Sequence, residues 1–478
     1  MRFRTYAICV LLGAAPAVAG AQTVSRVAPP DSGRSGTAVA PQLPATNPFS
    51  GSVPRGEVTT QPVPLSLKDA VQRALRNNLG LLLQEEAASS ARGARWRALA
   101  DLLPNVSGGL DQRRQIINLQ AFGFQADPPL VGPFNTIDAR VFLSQPVVDL
   151  SAVNDARAAS LNLKAAQYGV KDARDLVVLV AVNLYLESVA ASSRVQMTTA
   201  QQDTAEALFR QAQDLKAAGL VAGIDVLRAQ VQLQTQRSRV IAAQSEFDKL
   251  KLQLARAIGL PVGQPFTLTD SIPYAPLPAL TLEEALKRAY DTRPDYLAAR
   301  SRLEAAQASR RAAAAALLPS LYVDADYGAI GKSAGGALRT YALSANLRVP
   351  LFDGGRTVAR RIETEAALKQ NEAEYEDFKG RVEYEVRAAF LDVRSAEQQL
   401  QTAQTSVQLA NSELQQARDR FAAGVASNLE VTQAQEAVAT ASDTYITALY
   451  SHNIAKASLA RAVGVTESAV SGYLGGLQ

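Results

Sequence analysis

One histidine, His452, and one cysteine, Cys9, are all that 478 residues offer for soft metal ligation or for a nucleophile that depends on His or Cys. A zinc site, a Cys/His couple or a Ser-His-Asp relay would have to be assembled around one of these two residues. No P-loop, dinucleotide fingerprint or metal-spaced cluster takes their place. The chain is therefore expected not to be an enzyme, with no catalytic residue, no cofactor and no metal. What remains are acids at telling places. Asp225 and Glu430 each stand six residues after a glycine, Gly219 and Gly424, at the start of a predicted helix, where the helix dipole favours a carboxylate. Asp324 and Asp326 alternate with apolar residues along a predicted strand and so share its polar face. Capping and solvation account for both pairs as readily as ion handling does, and the elements that carry them must decide.

Aromatic residues make up 6% of the chain against a 47% hydrophobic share, a composition suited to narrow helix seams rather than thick globular cores. A formal charge of +4, from 49 basic and 45 acidic residues, is too balanced for a nucleic-acid binder. Residues 1–21 read as a secretory signal peptide, with Arg2 and Arg4, an apolar stretch from Ala7 to Ala19 and small-x-small cleavage sites. Cys9 lies inside it, so the exported chain is expected to hold no cysteine. The segment 22–64 holds eight prolines among Ser, Thr and Gly and is expected to be a disordered arm. Beyond residue 21 the best apolar stretch, Leu176 to Val182, falls far short of the roughly 20 residues of a spanning helix, so any membrane crossing is expected to use strands.

The rest of the chain is written twice. Leu67 to Ala74 matches Leu282 to Ala289 at an offset of 215, as Leu102-Leu103-Pro104 matches Leu317-Leu318-Pro319. Pro146 to Asp149 matches Pro350 to Asp353 at 204, and Leu254 to Gly259 matches Leu459 to Gly464 at 205. Blocks kept in order mark an internal two-fold repeat, with copies at 65–259 and 281–466, a Pro-rich linker at 260–280 and a tail at 467–478.

Within each copy the hydrophobic period changes twice. Ser66 to Leu103 and Thr281 to Leu318 read as helices that begin at a Ser or Thr cap and stop at a proline. Period two follows. Ile137, Ala139, Val141 and Leu143 in one copy, and Leu321, Val323, Ala325 and Tyr327 in the other, alternate with mostly polar neighbours. The hairpins expected at about 104–146 and 319–351 have strands of roughly ten residues, the length that crosses a bilayer at a tilt. Four strands cannot close a barrel and an open edge is excluded from lipid, so either the strands avoid the membrane or several chains pool them. From Asp353 the pattern turns helical, and Val382, Val386, Ala389, Val393, Ala396 and Leu400 open a heptad seam. It resumes from Val431 to Ala462, matched position for position by Val226 to Ala257, where His452 replaces Phe247 and is read as a packing or interhelical hydrogen-bonding residue; Trp96 is read as a wall-packing or interface residue. Each long helix of about 70 residues, near 105 Å, returns through one only half as long, and the short helix of a repeat must supply the missing half of the wall.

These residues resemble the TolC-like outer membrane efflux proteins over roughly 65–470. The resemblance is carried by Leu67 to Asn78, a Leu-x-x-Ala-x-x-x-Ala-Leu-x-Asn-Asn helix start, by the two Leu-Leu-Pro stops, by Pro350 to Gly355, and by Gly219 to Gln230 with Asp225-Val226-Leu227 in the turn. It implies an α+β membrane channel: a long α-helical coiled-coil barrel plus a β-barrel of four strands per chain, closed by trimerisation. An outer-membrane location with a long periplasmic extension follows, as does a role as exit duct of a tripartite efflux pump or type I secretion system. The implied partners are a homotrimer's two further copies, a periplasmic adaptor (membrane fusion) protein, an inner-membrane pump of RND or ABC type and outer-membrane lipid, with no nucleic acid. The rival reading, a periplasmic coiled-coil adaptor or scaffold protein, would carry one long hairpin instead of two. By the same resemblance Glu430 falls at the first acid of the family's entrance ring. Gln433 stands at the second acidic position and Ala426 at that of a gating arginine. The implied periplasmic gate is Asp225, Glu430 and Gln433, single-layered, and the turns Gly219-Leu220-Val221 and Gly424-Val425 would receive the adaptor.

Overall fold

The computed structural model describes residues 47–125, 127–219, 221–271, 274, 280–423, 425 and 428–467. Two units divide the chain, Met1–Ala45 and Thr46–Gln478, and every described residue belongs to the second. The expected signal peptide with Cys9, the first part of the arm, parts of the linker and the tail beyond 467 lie outside the described residues.

The first repeat runs β1 (Val63–Leu65), α1 (Leu67–Asn77), α2 (Leu79–Ala100), β2 (Asn105–Asn118), β3 (Leu130–Val148), α3 (Leu150–Ala217) and α4 (Gly223–Ile258), followed by β4 (Phe266–Leu268) in the linker. The second runs α5 (Leu282–Thr292), α6 (Pro294–Ala315), β5 (Ser320–Gly331), β6 (Leu338–Arg348), α7 (Arg356–Ala422) and α8 (Asn428–Val463).

Each short helix expected to be continuous is broken after one third of its length. Asn78 leaves the helical region at φ −64°, ψ 128°, and its side chain caps α2 by accepting from Gly80 N and Leu81 N. Arg293 also leaves the helical region, at φ −60°, ψ 118° and with no side-chain cap, ahead of Pro294, which has no N–H to offer a helix interior. The breaks are fixed from outside. Gly259 (φ +77°) ends α4 and Gly464 (φ +78°) follows α8, both in the left-handed conformation that glycine adopts freely. A Cβ on Gly259 would lie 2.4 Å from Asn77 Cβ, and one on Gly464 would lie 2.8 Å from the N and Cα of Arg293. Each return helix thus ends pressed against the break.

The expected disordered arm is also corrected from Asn47 onward. Val53 N donates to Asn77 O at 2.8 Å and Arg55 N to Gly259 O at 3.2 Å. β1 pairs in parallel with β4, from Val63 against Phe266 to Leu65 against Leu268. Tyr185 of α3 fastens this crossing, its Oη 3.0 Å from both Leu65 O and Asp270 Oδ2, while Leu67 N donates to the same carboxylate oxygen at 2.7 Å. A proline-rich segment cannot build a core of its own, but here it lends Leu65 and Phe266 to one that exists already.

That core lies along α3, which packs on α2 and α6 in one half and on α4 and α8 in the other; α7 borders α6 and α8. The helices therefore follow one another as α2-α3-α6-α7 and as α4-α3-α8-α7. The expectation that no helix could span a membrane is corrected here. An 18-residue window of α3 has a mean hydropathy of 1.7, long and apolar enough to cross, because Asn183 and Glu187 interrupt its apolar run only lightly. Yet 56% of that window is buried inside the protein. Val178, Val182 and Leu186 pack with Leu67, Ala74, Leu254 and Ile258. The α7 seam buries Val382, Val386 and Val393 against Leu459 of α8.

The four long strands form one antiparallel sheet in the order β2-β3-β5-β6. Register sets Arg140 opposite Gly328, and Gly328 opposite Thr340, so the predicted alternation becomes two continuous faces. One carries Leu110, Val141, Leu143, Val323, Tyr341 and Leu343, with Leu110, Tyr341 and Leu343 at 73–80% exposure. The other carries Asp138, Arg140, Ser144, Asp324, Asp326, Thr340 and Asn346.

Candidate functional site

The polar face of the sheet is a connected network. Arg140 of β3 pairs with Asp138 on its own strand and with Asp326 of β5, and its Nη2 donates to Thr340 Oγ1 of β6 at 2.9 Å. Asp324 accepts from Ser144 Oγ at 2.6 Å and from Asn346 Nδ2 at 2.7 Å. Cross-strand pairs of this kind hold the register, and they leave most of the face wettable, the exposed Phe142 excepted, opposite an apolar one. Such a sheet has one side for lipid and one for water, as the wall of an aqueous pore does.

At the other end of the long helices the chain reverses twice. Gly219 takes φ +74° and its N–H donates to Lys216 O at 3.0 Å, so the first turn closes tightly. Asp225 sits in the first turn of α4, where the cap residue Ala222 supplies no side-chain hydrogen bond; its carboxylate lies 3.4 Å from Arg228 one turn on. In the second hairpin Val425 N donates to Arg420 O at 3.0 Å, and Glu430 in the first turn of α8 lies 3.6 Å from Arg420 of α7. Gln433, one turn further along α8, is exposed. Val221 and Val425 flank the turns, while Leu220, Gly424 and Ala426 lie outside the described residues. The structure thus sets each predicted acid beside an arginine of its own hairpin. Arg420 was not singled out from the sequence, although it stands where α7 ends and can reach across a short turn. Ile224, Leu227 and Leu429 are also exposed apolar residues beside these turns, hidden in the sequence because they look like seam positions.

A further contact missed by sequence reasoning ties the two hairpins together. Glu436 of α8 accepts from both guanidinium nitrogens of Arg239 at 3.0 Å and from Gln232 at 2.9 Å, both on α4. Burial opposes the charge of Glu436, but the hydrogen bonds from Arg239 and Gln232 outweigh it and hold the carboxyl below its usual range. Arg194 of α3 likewise reaches Asp443 at 2.7 Å and Thr447 at 2.8 Å on α8. Among the described residues no group of three or more His, Cys, Asp or Glu side chains is placed to hold a metal ion.

A sheet with one lipid face and one wet face, rooted on paired helices about 100 Å long, defines a wall segment of a membrane channel. The sequence pattern of the outer membrane efflux protein family matches residues 70–260 and 285–465, one segment in each repeat, and the chain belongs to that family. The pyoverdine export outer membrane protein OpmQ of Pseudomonas putida is 29% identical over 65% of this chain and 66% of its own length. The alkaline protease secretion protein AprF of Pseudomonas aeruginosa is 22% identical over 85% of either chain. Among solved structures, the outer membrane protein VceC of Vibrio cholerae superposes with a TM-score of 0.72 at 19% identity, covering 83% of this chain and 96% of that one. The protein is an outer-membrane export channel with a helical extension on the periplasmic side.

Proposed function

We propose that three copies close into one duct, pooling twelve strands into a barrel in outer-membrane lipid, and that the duct receives cargo from a periplasmic adaptor and an inner-membrane pump of RND or ABC type. The observation that carries this reading is the pair of unlike open edges. One side of the wall ends in β2, α2 and α4, the other in β6 and α7. Exposed apolar residues stand on those edge helices: Leu83 and Trp96 on α2, Leu227, Val231 and Ile241 on α4, Ile362, Leu391 and Leu409 on α7. An edge of one kind facing an edge of another is the geometry of a head-to-tail ring, and an unpaired strand edge is not tolerated in lipid.

In that ring the turns Gly219-Leu220-Val221 and Gly424-Val425 receive the adaptor, and Asp225, Glu430 and Gln433 ring the periplasmic mouth as its gate. The relatives' names join pyoverdine export and alkaline protease secretion. The duct accordingly serves a tripartite efflux pump or a type I secretion system, and it catalyses nothing itself. Mass determination on the detergent-extracted particle is expected to give a trimer, and planar-bilayer recording of the same sample a conducting pore. A stable monomer with full strand content, or a particle that never conducts, would overturn the reading.

A further inference from the structure

Just below the sheet, α6 and α7 flank an open groove of about 600 Å³ whose walls are basic. Arg310 and Arg311 come from α6 and Arg361 and Lys369 from α7, against a single carboxylate, Glu365. Glu365 pairs with Arg310, and neither Arg311 nor Arg361 makes an ion pair among the described residues. Val358 and Ala314, both exposed, add apolar surface. The position of a neighbouring ion pair sets the groove on the outer side of the wall. Val358, Arg361, Glu365 and Lys369 recur every three or four residues and share one face of α7, whereas Arg360 stands on the far face. From there Arg360 reaches past α6 to both carboxylate oxygens of Asp155 on α3, each at 2.9 Å. An ion pair that joins the two helices flanking a third closes the concave side of the row, the side a ring encloses, and so leaves the groove on the convex side.

The height of the groove narrows its ligand. The apolar face of the sheet runs down β6 to Leu347, and Leu351 and Phe352 follow in the turn into α7 at 93% and 88% exposure. Apolar side chains so bare fit the lower edge of a hydrocarbon layer. Arg361 lies five residues into α7 and Arg311 four residues from the end of α6, so both stand about 6–8 Å along their helices from the ends nearest the sheet. The polar layer of a leaflet is about 5–7 Å deep, within side-chain reach of both. Lys369, about 20 Å along α7, lies beneath it. We propose that the groove binds an anionic phospholipid of the periplasmic leaflet, with Arg311 and Arg361 donating charge-assisted hydrogen bonds to its phosphate oxygens and an acyl chain running up the apolar face of the sheet. The assignment rests on the reading of that face as lipid-facing, and it adds which lipid is held and where.

The test is native mass spectrometry of the full-length, detergent-solubilised protein mixed with dioleoyl phosphatidylglycerol, with dioleoyl phosphatidylcholine as the net-neutral lipid and inorganic phosphate as the anion alone. One phosphatidylglycerol per chain is expected to saturate, and to survive a detergent exchange that strips phosphatidylcholine. The double substitution Arg311→Gln with Arg361→Gln should weaken that binding at least tenfold. Arg381→Gln, which removes an exposed arginine lower on α7, should leave it unchanged. Equal retention of the two lipids, or retention indifferent to the double substitution, would overturn the assignment. So would displacement of the lipid by millimolar phosphate, the mark of a free-anion site, or a map of the particle with protein seated in the groove. Conductance and particle mass, measured on the same preparation, report separately on the export reading, and the double variant should match the parent in both.

Discussion

The two repeats place a lysine at the same point of their return helices and surround it in opposite ways. In the first, the Lys251 ammonium lies over two aromatic faces, 4.9 Å from the ring centre of Phe266 and 5.4 Å from that of Phe247. A cation held on ring faces near water keeps its charge cheaply. In the second, Lys456 is fully buried and His452 stands where Phe247 would be. Burial pushes the Lys456 ammonium down to about 8. Burial and Lys456 together also lower His452, against a weaker pull from Glu397 of α7, and both of its ring nitrogens lack a hydrogen-bond partner among the described residues. Tyr274 of the linker covers the imidazole at 5.8 Å between ring centres. The backbone and the seam match between the copies, while the linker residues that meet them differ, Phe266 beside Lys251 and Tyr274 beside His452.

The largest effects test whether the two helix breaks are mechanically equivalent. Gly464→Ala is expected to cost about 3 kcal/mol or more, combining roughly 1–2 kcal/mol for a left-handed alanine with 1–3 kcal/mol of overpacking against the fixed N and Cα of Arg293. Gly259→Ala meets Asn77 Cβ, an atom the backbone fixes and no rotamer moves, and should cost a similar amount. Unfolding midpoints of the two variants check this, and a clearly smaller loss at either glycine would show that the two breaks are not held in the same way.

The lysine pair comes next, and its sign is fixed by linkage. A buried lysine whose folded value lies below its unfolded one binds fewer protons when folded, so stability should rise with pH between about 8 and about 10.4 and be flat below. Lys456→Met should remove that rise. Lys251→Met should instead cost about 1 kcal/mol. Equal responses in urea titrations at pH 7 and pH 10 would mean the two environments do not differ as described.

The clamp between the hairpins should matter less. Arg239 and Glu436 are each about 40% exposed, and ion pairs so placed contribute roughly 0.2–1 kcal/mol. Arg239→Ala is expected to fall within that range, and its loss should shrink further in 1 M salt; a cost that salt leaves untouched would point to packing instead.

What could be read in advance follows the range of the interaction. The seam positions from Val382 to Leu400 and the strand alternations at 137–143 and 321–327 repeat locally, so the sequence carries them openly. The break at Asn78 does not, because it is imposed by Gly259, nearly two hundred residues on; its partner had a visible sign in Pro294. The pairing of β1 with β4 joins two proline-rich segments whose composition alone argues for disorder. The Arg420 contact to Glu430 depends on how a turn folds back, which residue spacing does not reveal.

That contact sharpens the last comparison, between the two acids at the helix reversals. Asp225 is satisfied within its own helix by Arg228, at 24% side-chain exposure, as a first-turn acid would be in any helix. Glu430 is 42% exposed and reaches across its turn to Arg420 on the preceding helix, so removing its charge changes how two helices meet and frees a cation at the helix reversal. Neither change should shift the unfolding midpoint by more than a degree or two, since exposed pairs contribute little. If Glu430 rings a pore mouth, Glu430→Gln should weaken block of the open channel by multivalent cations several-fold in planar-bilayer recordings, and Asp225→Asn should weaken it less. Arg420→Ala should do the reverse and strengthen the block, because it unmasks the acid without moving it. Identical block in all three variants, with intact particles, would reduce both acids to helix caps and leave the gate to other residues.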